Sequence, residues 1–147
     1  MEQKELQEKA ILYQLMQRQL EELSQNAMLI DKRYAELDLT LQALEDVDKL
    51  KEKNEILVPL GSGIFTYGRV TDKKILAEIG AGMLLDKDAE SARQLIQGKK
   101  KEIEKLALDL QGEMVSISSS MNSLVSEIEK ASQESEKARS HDRKPKA

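Results

Sequence analysis

The chain has 147 residues, of which 34% are charged, 39% are hydrophobic and only 3% are aromatic. Such a composition is poor material for a compact globular core and suits long helices that bury a narrow apolar seam. The net charge of −4, with both signs interspersed, argues against nucleic-acid binding, which needs a net basic surface.

A heptad repeat runs through residues 6–53 and predicts one long N-terminal coiled-coil helix over residues 1–53. Only Lys9, Asp48 and Lys51 place a charge in its apolar seam. The seam has position a at Leu6, Tyr13, Leu20, Ala27, Tyr34 and Leu41, and position d at Met16, Leu23, Ile30, Leu37 and Leu44.

Residues 54–88 have the pattern of two β-hairpins. Gly61-Ser62-Gly63 separates the β-rich runs 55–60 and 64–70, and Gly80-Ala81-Gly82 separates 74–79 from 83–87. Glycine suits both connections because a tight hairpin turn needs positive φ. The alternative for each Gly-X-Gly segment is an ordinary loop.

Alternation places apolar side chains of both hairpins on one sheet face, including Ile56, Val58, Ile75 and Ala77. Isolated hairpins are marginally stable, and exposed strand edges pair readily with other chains. We therefore expect this block to be an oligomerisation module that contacts more than one neighbour. The candidate assembly residues are Ile56, Val58, Leu60, Ile64, Phe65, Val70, Ile75, Ile79, Met83 and Leu84.

A second heptad repeat predicts a C-terminal coiled-coil helix over residues 89–137, with Asp88 as its N-cap. Arg93 and Lys100 are its polar seam positions, and its serine-rich distal half is expected to fray. The basic tail 138–147 reads as disordered. Apolar seam residues are Ala107, Met114, Met121 and Ile128 at position a, with Ile96, Ile103, Leu110, Ile117, Leu124 and Ala131 at position d.

The two heptad segments have similar lengths, so folding back at the hairpins predicts an antiparallel pair roughly 70 Å long. Near its open end, the first helix is apolar on nearly every side, more than one seam can bury. Exposed apolar patches usually mark contact surfaces. The client-binding candidates are Ile11, Leu12, Leu15, Met16, Val125 and Ile128. The alternative is that these residues pack a slightly wider seam or touch a neighbouring helix, and seam packing is the favoured interpretation for Ile128.

Catalytic and cofactor chemistry find no support in the sequence. His141 is the only histidine and lies in a polar tail, which argues against a histidine-based metal cluster or a Ser-His-acid triad within one chain. There is no cysteine, so a thiolate metal site cannot form. No Gly-Lys-Ser/Thr motif follows Gly63, which argues against a phosphate loop. We expect no enzyme activity, no cofactor and no metal.

No signal-peptide pattern opens the chain, and no apolar run is long enough to span a bilayer. The absence of cysteine favours an intracellular setting. We therefore expect a soluble cytoplasmic protein without membrane contact.

The central block carries a resemblance to a known family. The run 58–65, Gly68, Asp72, the run 79–82 and Lys87 with Glu90 and Ala92 resemble the α-type subunits of prefoldin, especially those of archaea. That resemblance implies a hexamer of two α-type and four β-type subunits, in which the hairpins assemble a β-barrel platform bearing coiled coils. It also implies capture of non-native proteins without ATP and their delivery to a group II chaperonin.

Two functional hypotheses therefore stand beside each other. The first is an ATP-independent holdase subunit that grips many clients through apolar coiled-coil tips. The alternative is a structural coiled-coil adaptor, which would bury the same apolar tips in one defined partner.

Overall fold

The computed structural model describes residues 3–51 and 53–142 and has two long helices separated by two hairpins. This is the mainly α architecture that the sequence predicts. The elements are α1 (Gln3–Lys49), β1 (Glu55–Gly61), β2 (Ile64–Arg69), β3 (Ile75–Gly80), β4 (Met83–Lys87) and α2 (Ala89–Asp142). Within the described residues, no helix has the length and apolar character needed to cross a membrane.

Two compact units divide the chain. Unit 1 contains Met1–Ile30 and Leu106–Ala147, and unit 2 contains Asp31–Lys105. In unit 2, Tyr34 contacts Glu104 and Asp38 contacts Lys100. The residue numbers of the contacting partners therefore increase along α1 while they decrease along α2. This pairing identifies the helices of that unit as antiparallel.

The heptad seam is the buried face of both helices. Every a and d position is buried or half-buried from Leu6 to Leu44 in α1 and from Arg93 to Ala131 in α2. One departure follows Leu44, where Val47 is half-buried and Asp48 is exposed. The buried seam therefore moves from Leu44 to Val47, a spacing of three residues in place of the four that the heptad predicts. An apolar valine packs against the opposite helix more favourably than a charged aspartate does.

Helix α2 begins as the sequence predicts. An Asp88 Oδ1 atom accepts a hydrogen bond from the Ser91 backbone N–H at 2.7 Å, which is N-cap geometry. Hydrogen bonds from the Ser91 side chain and backbone lower the pKa of Asp88 from its ordinary value. The cap therefore gives α2 a fixed start immediately after β4.

The C-terminal end of α2 differs from the sequence prediction. The helix continues through the serine-rich stretch to Asp142, so residues 138–142 are helical and not a disordered tail. Ala138 and Arg139 are good helix formers, and Arg139 lies in the last turn, where positive charge complements the helix dipole. The remainder of the expected tail, 143–147, lies outside the described residues.

Both hairpins close through two-residue turns. Ser62 and Gly63 have φ values of 51° and 77°, and Ala81 and Gly82 have values of 51° and 73°. Positive φ at both central residues is the requirement of a type I′ turn. The hairpin prediction is therefore confirmed over the alternative of ordinary loops.

A β-bulge precedes each turn. Pro59 pairs with Phe65, but Gly61 pairs with Ile64, so Leu60 is an extra residue in β1. The second hairpin repeats this arrangement, with Ile79 as the extra residue of β3. No ladder joins the two strand pairs within the described residues, so each hairpin is a separate two-stranded sheet.

Candidate assembly and binding surfaces

The first hairpin is apolar on both faces. Antiparallel partners point to the same side of a sheet, so the pairs Ile56–Gly68 and Val58–Thr66 form one face. A Cβ on Gly68 would lie 3.1 Å from Val58 Cγ2, so glycine there leaves room for the valine to cover the β2 backbone. The predicted face residues Ile56 and Val58 do share a side.

The opposite face carries the pairs Leu57–Tyr67 and Pro59–Phe65, with the charged pair Glu55–Arg69 at its open end. Leu57 is 61% exposed and Tyr67 is 76% exposed. Neither residue was predicted from the sequence, because strict alternation places every second side chain of a strand on the solvent face. Apolar side chains on both faces are typical of a strand that is buried on both sides, and the sequence of this hairpin already has that pattern.

The second hairpin is less symmetric. Ile75 and Ala77 share one face with Leu85. The other face alternates two leucines, Leu76 and Leu84, with two carboxylates, Glu78 and Asp86. Leu84 therefore lies on the opposite side from Ile75, although both belong to the predicted assembly set.

All ten predicted assembly residues remain exposed or half-buried in the single chain. Leu60 and Ile79 occupy the bulges, Ile64 and Met83 follow the turns, and Val70 comes directly after β2. These hairpins thus display large apolar side chains, which a soluble protein rarely leaves uncovered.

A second apolar surface lies in unit 1, on α1. Ile11, Leu12 and Leu15 are 58%, 43% and 56% exposed, and none belongs to the seam. Spacings of three and four residues place Leu15 beside the other two on the helix surface. We call these three residues the α1 ridge.

An open groove of about 360 Å³ lies between the two helices of unit 1. Its apolar walls are Tyr13, Val125 and Ile128. The remaining lining residues are Ala10, Gln14, Gln17 and Glu129. We call this feature the unit 1 groove.

The six client-binding candidates thus fall into separate places. Val125 and Ile128 line the unit 1 groove, whereas the α1 ridge lies outside its lining. Met16 is half-buried in the seam. Sequence reasoning missed Gln14 and Gln17 as groove residues, although their positions next to the seam could have identified them.

Polar groups interrupt the seam in both units. In unit 1, Lys9 Nζ lies 2.6 Å from Glu127 Oε2. In unit 2, Lys100 Nζ lies 2.6 Å from Asp38 Oδ1 and 4.7 Å from the centre of the Tyr34 ring, a cation–π distance. Tyr34 donates a hydrogen bond to Glu104 at 3.1 Å. We call Tyr34, Asp38, Lys100 and Glu104 the polar layer.

The polar layer affects one titratable group. The hydrogen bond to Asp38, followed by the contact with Tyr34, raises the pKa of Lys100 above its ordinary value of 10.5. Lys100 is thus a stable cation at neutral pH. A single polar position in a coiled-coil seam is a known means of fixing helix register.

Metal chemistry has no support in the described part of the chain. No group of three or more histidine, cysteine, aspartate or glutamate side chains is placed there to hold an ion. The surfaces available are apolar faces, a groove and ion pairs. This arrangement is suited to binding other polypeptides.

Comparison with known proteins places the chain in a family. The model of the prefoldin subunit family matches residues 16–134. The prefoldin subunit alpha of Pyrococcus horikoshii is 32% identical over 116 residues, which cover 78% of each chain. That of Methanosarcina mazei is 27% identical over 133 residues, covering 86% of this chain and 92% of the relative.

A solved structure has the same fold. The cryo-EM structure of filamentous PFD from Methanocaldococcus jannaschii has a TM-score of 0.69 and 22% identity, and the match covers 82% of this chain and 98% of that one. The resemblance found in the central block is therefore confirmed across most of the sequence. The chain belongs to the prefoldin subunit family, and within it the chain resembles the α-type subunits.

Proposed function

We propose that this prefoldin chaperone subunit acts as an ATP-independent holdase in the cytoplasm. It captures non-native proteins through unit 1 and delivers them to a group II chaperonin. It works within an α2β4 hexamer, where its hairpins join those of β-type subunits.

The observation that carries the proposal is the exposure of the α1 ridge. Ile11, Leu12 and Leu15 project away from the seam, and no residue from 10 to 17 is charged. Non-native proteins expose apolar side chains, and burial of such surface is the main favourable term in association. A surface without charges also imposes little sequence specificity on what it binds.

The hairpins support the assembly part of the proposal. Both faces of the first hairpin are apolar, and each two-stranded sheet has unpaired outer edges. Edge pairing and face packing with other subunits would cover these groups. The α1 ridge belongs to the other compact unit. Assembly through the hairpins therefore does not use the residues that are proposed to bind clients.

The test is suppression of aggregation of a chemically unfolded model protein, followed by light scattering without ATP. The full chain is used after co-assembly with a β-type subunit. In the variant, Ile11, Leu12 and Leu15 are each replaced by serine. We expect suppression to require about tenfold more hexamer, since losing about 1.4 kcal/mol of apolar contact weakens binding tenfold.

A matched control replaces Leu29, Leu39 and Leu106 by serine, because these helix residues are exposed to a similar extent but lie outside the ridge and the unit 1 groove. The control hexamer should suppress aggregation like the wild type. Full activity of the ridge variant would contradict the proposed site. Failure of an intact wild-type hexamer to suppress aggregation would favour the structural adaptor.

A further inference from the structure

The unit 1 groove lies on one flank of the helix pair. In the heptad numbering used above, Ala10, Gln17 and Val125 are at position e, and Gln14 and Glu129 are at position b. In an antiparallel pair the e positions of both helices flank the same side of the seam, and the b positions adjoin them. We call this side of unit 1 the b/e flank.

The b/e flank is net acidic. Over residues 3–28 and 108–142, its charged side chains are Glu21, Glu129 and Glu136, with Arg139 at its distal end. The seam cation of α1, Lys9, is bound at 2.6 Å by Glu127, which occupies position g. This cation, which is adjacent in sequence to the groove residue Ala10, is therefore engaged by a carboxylate outside the flank.

We infer that the unit 1 groove selects client segments that combine apolar side chains with lysine or arginine and disfavours acidic segments. This inference rests on the proposed holdase function. Tyr13, Val125 and Ile128 offer apolar walls for the client's aliphatic or aromatic groups. The amides of Gln14 and Gln17 can both donate to and accept from an unpaired client backbone.

The carboxylates supply the preference for charge. An ammonium or guanidinium group beside the bound apolar segment is attracted by Glu129 and, one heptad further along α2, by Glu136. An acidic segment meets repulsion from the same groups, and the one basic residue of the flank among the described residues, Arg139, lies ten residues beyond Glu129. The selection is modest because exposed ion pairs are weak.

The experiment measures binding of fluorescein-labelled peptides by anisotropy, using the full chain co-assembled with a β-type subunit at low ionic strength. Three peptides share one leucine- and valine-containing core and differ only in flanking lysine, glutamine or glutamate. We expect the lysine peptide to bind about fivefold more tightly than the glutamate peptide, with the glutamine peptide between them. In about 1 M salt the difference should disappear.

Two double variants locate the effect. Glu129→Gln with Glu136→Gln should remove the preference while the glutamine peptide still binds. Glu113→Gln with Glu134→Gln changes the net charge equally at position g of α2, outside the flank, and should leave the preference intact.

The outcomes separate this inference from the holdase proposal. Equal binding of all three peptides would overturn the charge selection and leave the holdase function standing. Binding of none of them would overturn both. If the Glu129/Glu136 variant still prefers the lysine peptide, the groove is not the origin of the preference. If the particle mass of that variant changes, the flank is a contact between copies of the chain.

Discussion

Ser62 and Ala81 adopt a backbone conformation that their side chains disfavour. Each has φ of 51°, in the left-handed region that glycine enters freely. The glycines at 61, 63, 80 and 82 made the position of both turns predictable. The conformation of the middle residue was less apparent, because it follows from the strand twist, which requires positive φ at both central positions.

Replacement of Ala81 by asparagine should therefore stabilise the second hairpin. Asparagine tolerates the left-handed region, and Asn-Gly is the favoured type I′ pair, so we expect the free energy of unfolding to rise by about 0.5–1 kcal/mol. Urea denaturation followed by circular dichroism measures it. The control, Ala77→Asn in strand β3, should lower stability, and a destabilised Ala81→Asn variant would contradict this account of the turn.

At the level of the helices, heptad counting predicted the buried face almost residue by residue. It failed at Asp48, because a fixed seven-residue repeat cannot anticipate the step of three that brings Val47 into the seam. It also identified Lys100 only as a polar interruption. The contacts with Asp38 and Tyr34 depend on the alignment of two helices distant in sequence, which counting along one helix does not provide.

Replacement of Asp38 by asparagine should weaken the polar layer in a pH-dependent way. Asp38 raises the pKa of Lys100, so the ion pair stabilises the folded state fully below the ordinary lysine pKa of 10.5. That contribution is lost as pH rises through the raised pKa. We expect a lower melting temperature than wild type at pH 7–9 and a vanishing difference at higher pH.

Thermal melts of both proteins across that pH range provide the test. Asp31→Asn is the control, since Asp31 lies one heptad earlier at the same position and has no ion pair among the described residues. A pH-independent deficit in the Asp38 variant would contradict the assigned role of Lys100.

For the whole molecule, the two apolar faces of the first hairpin predict how strongly it takes part in assembly. Replacing Leu57 and Tyr67 by serine removes the exposed pair from the second face. Burying a large apolar side chain contributes about 1.5–3 kcal/mol. We therefore expect the dissociation constant of the complex with β-type subunits to rise at least about tenfold.

Mass photometry over a dilution series measures that change. Serine at Leu39 and Leu108, which are equally exposed but lie on the helices, is the control and should preserve the particle mass. An unchanged mass for the Leu57/Tyr67 variant at nanomolar concentration would mean that the second face remains uncovered in the complex.

The sequence predicted the candidate surfaces unevenly. Ile11, Leu12 and Leu15 were found because residues off the seam of a helix are exposed by geometry alone. The unit 1 groove was not predicted, because it forms only where Tyr13 and Gln17 come beside Val125, which is more than a hundred residues away in sequence. The predicted assembly residues lie on both faces of the hairpins. The pairing register decides which residues share a face, and the sequence alone does not give that register.

The beginning of α1 and the end of α2 both belong to unit 1, which has a practical consequence for labelling this protein. The ion pair between Lys9 and Glu127 brings the beginning of α1 beside the distal part of α2, and the α1 ridge begins two residues after Lys9. If the α1 ridge is the client site proposed above, an affinity tag or fluorophore attached near either of these helix ends would compete with clients for space. The solvent-exposed turns at Ser62 and Ala81 belong to unit 2, but they adjoin the proposed subunit contacts. Position 39, exposed on the outer side of α1 in unit 2, is the better site for a reporter.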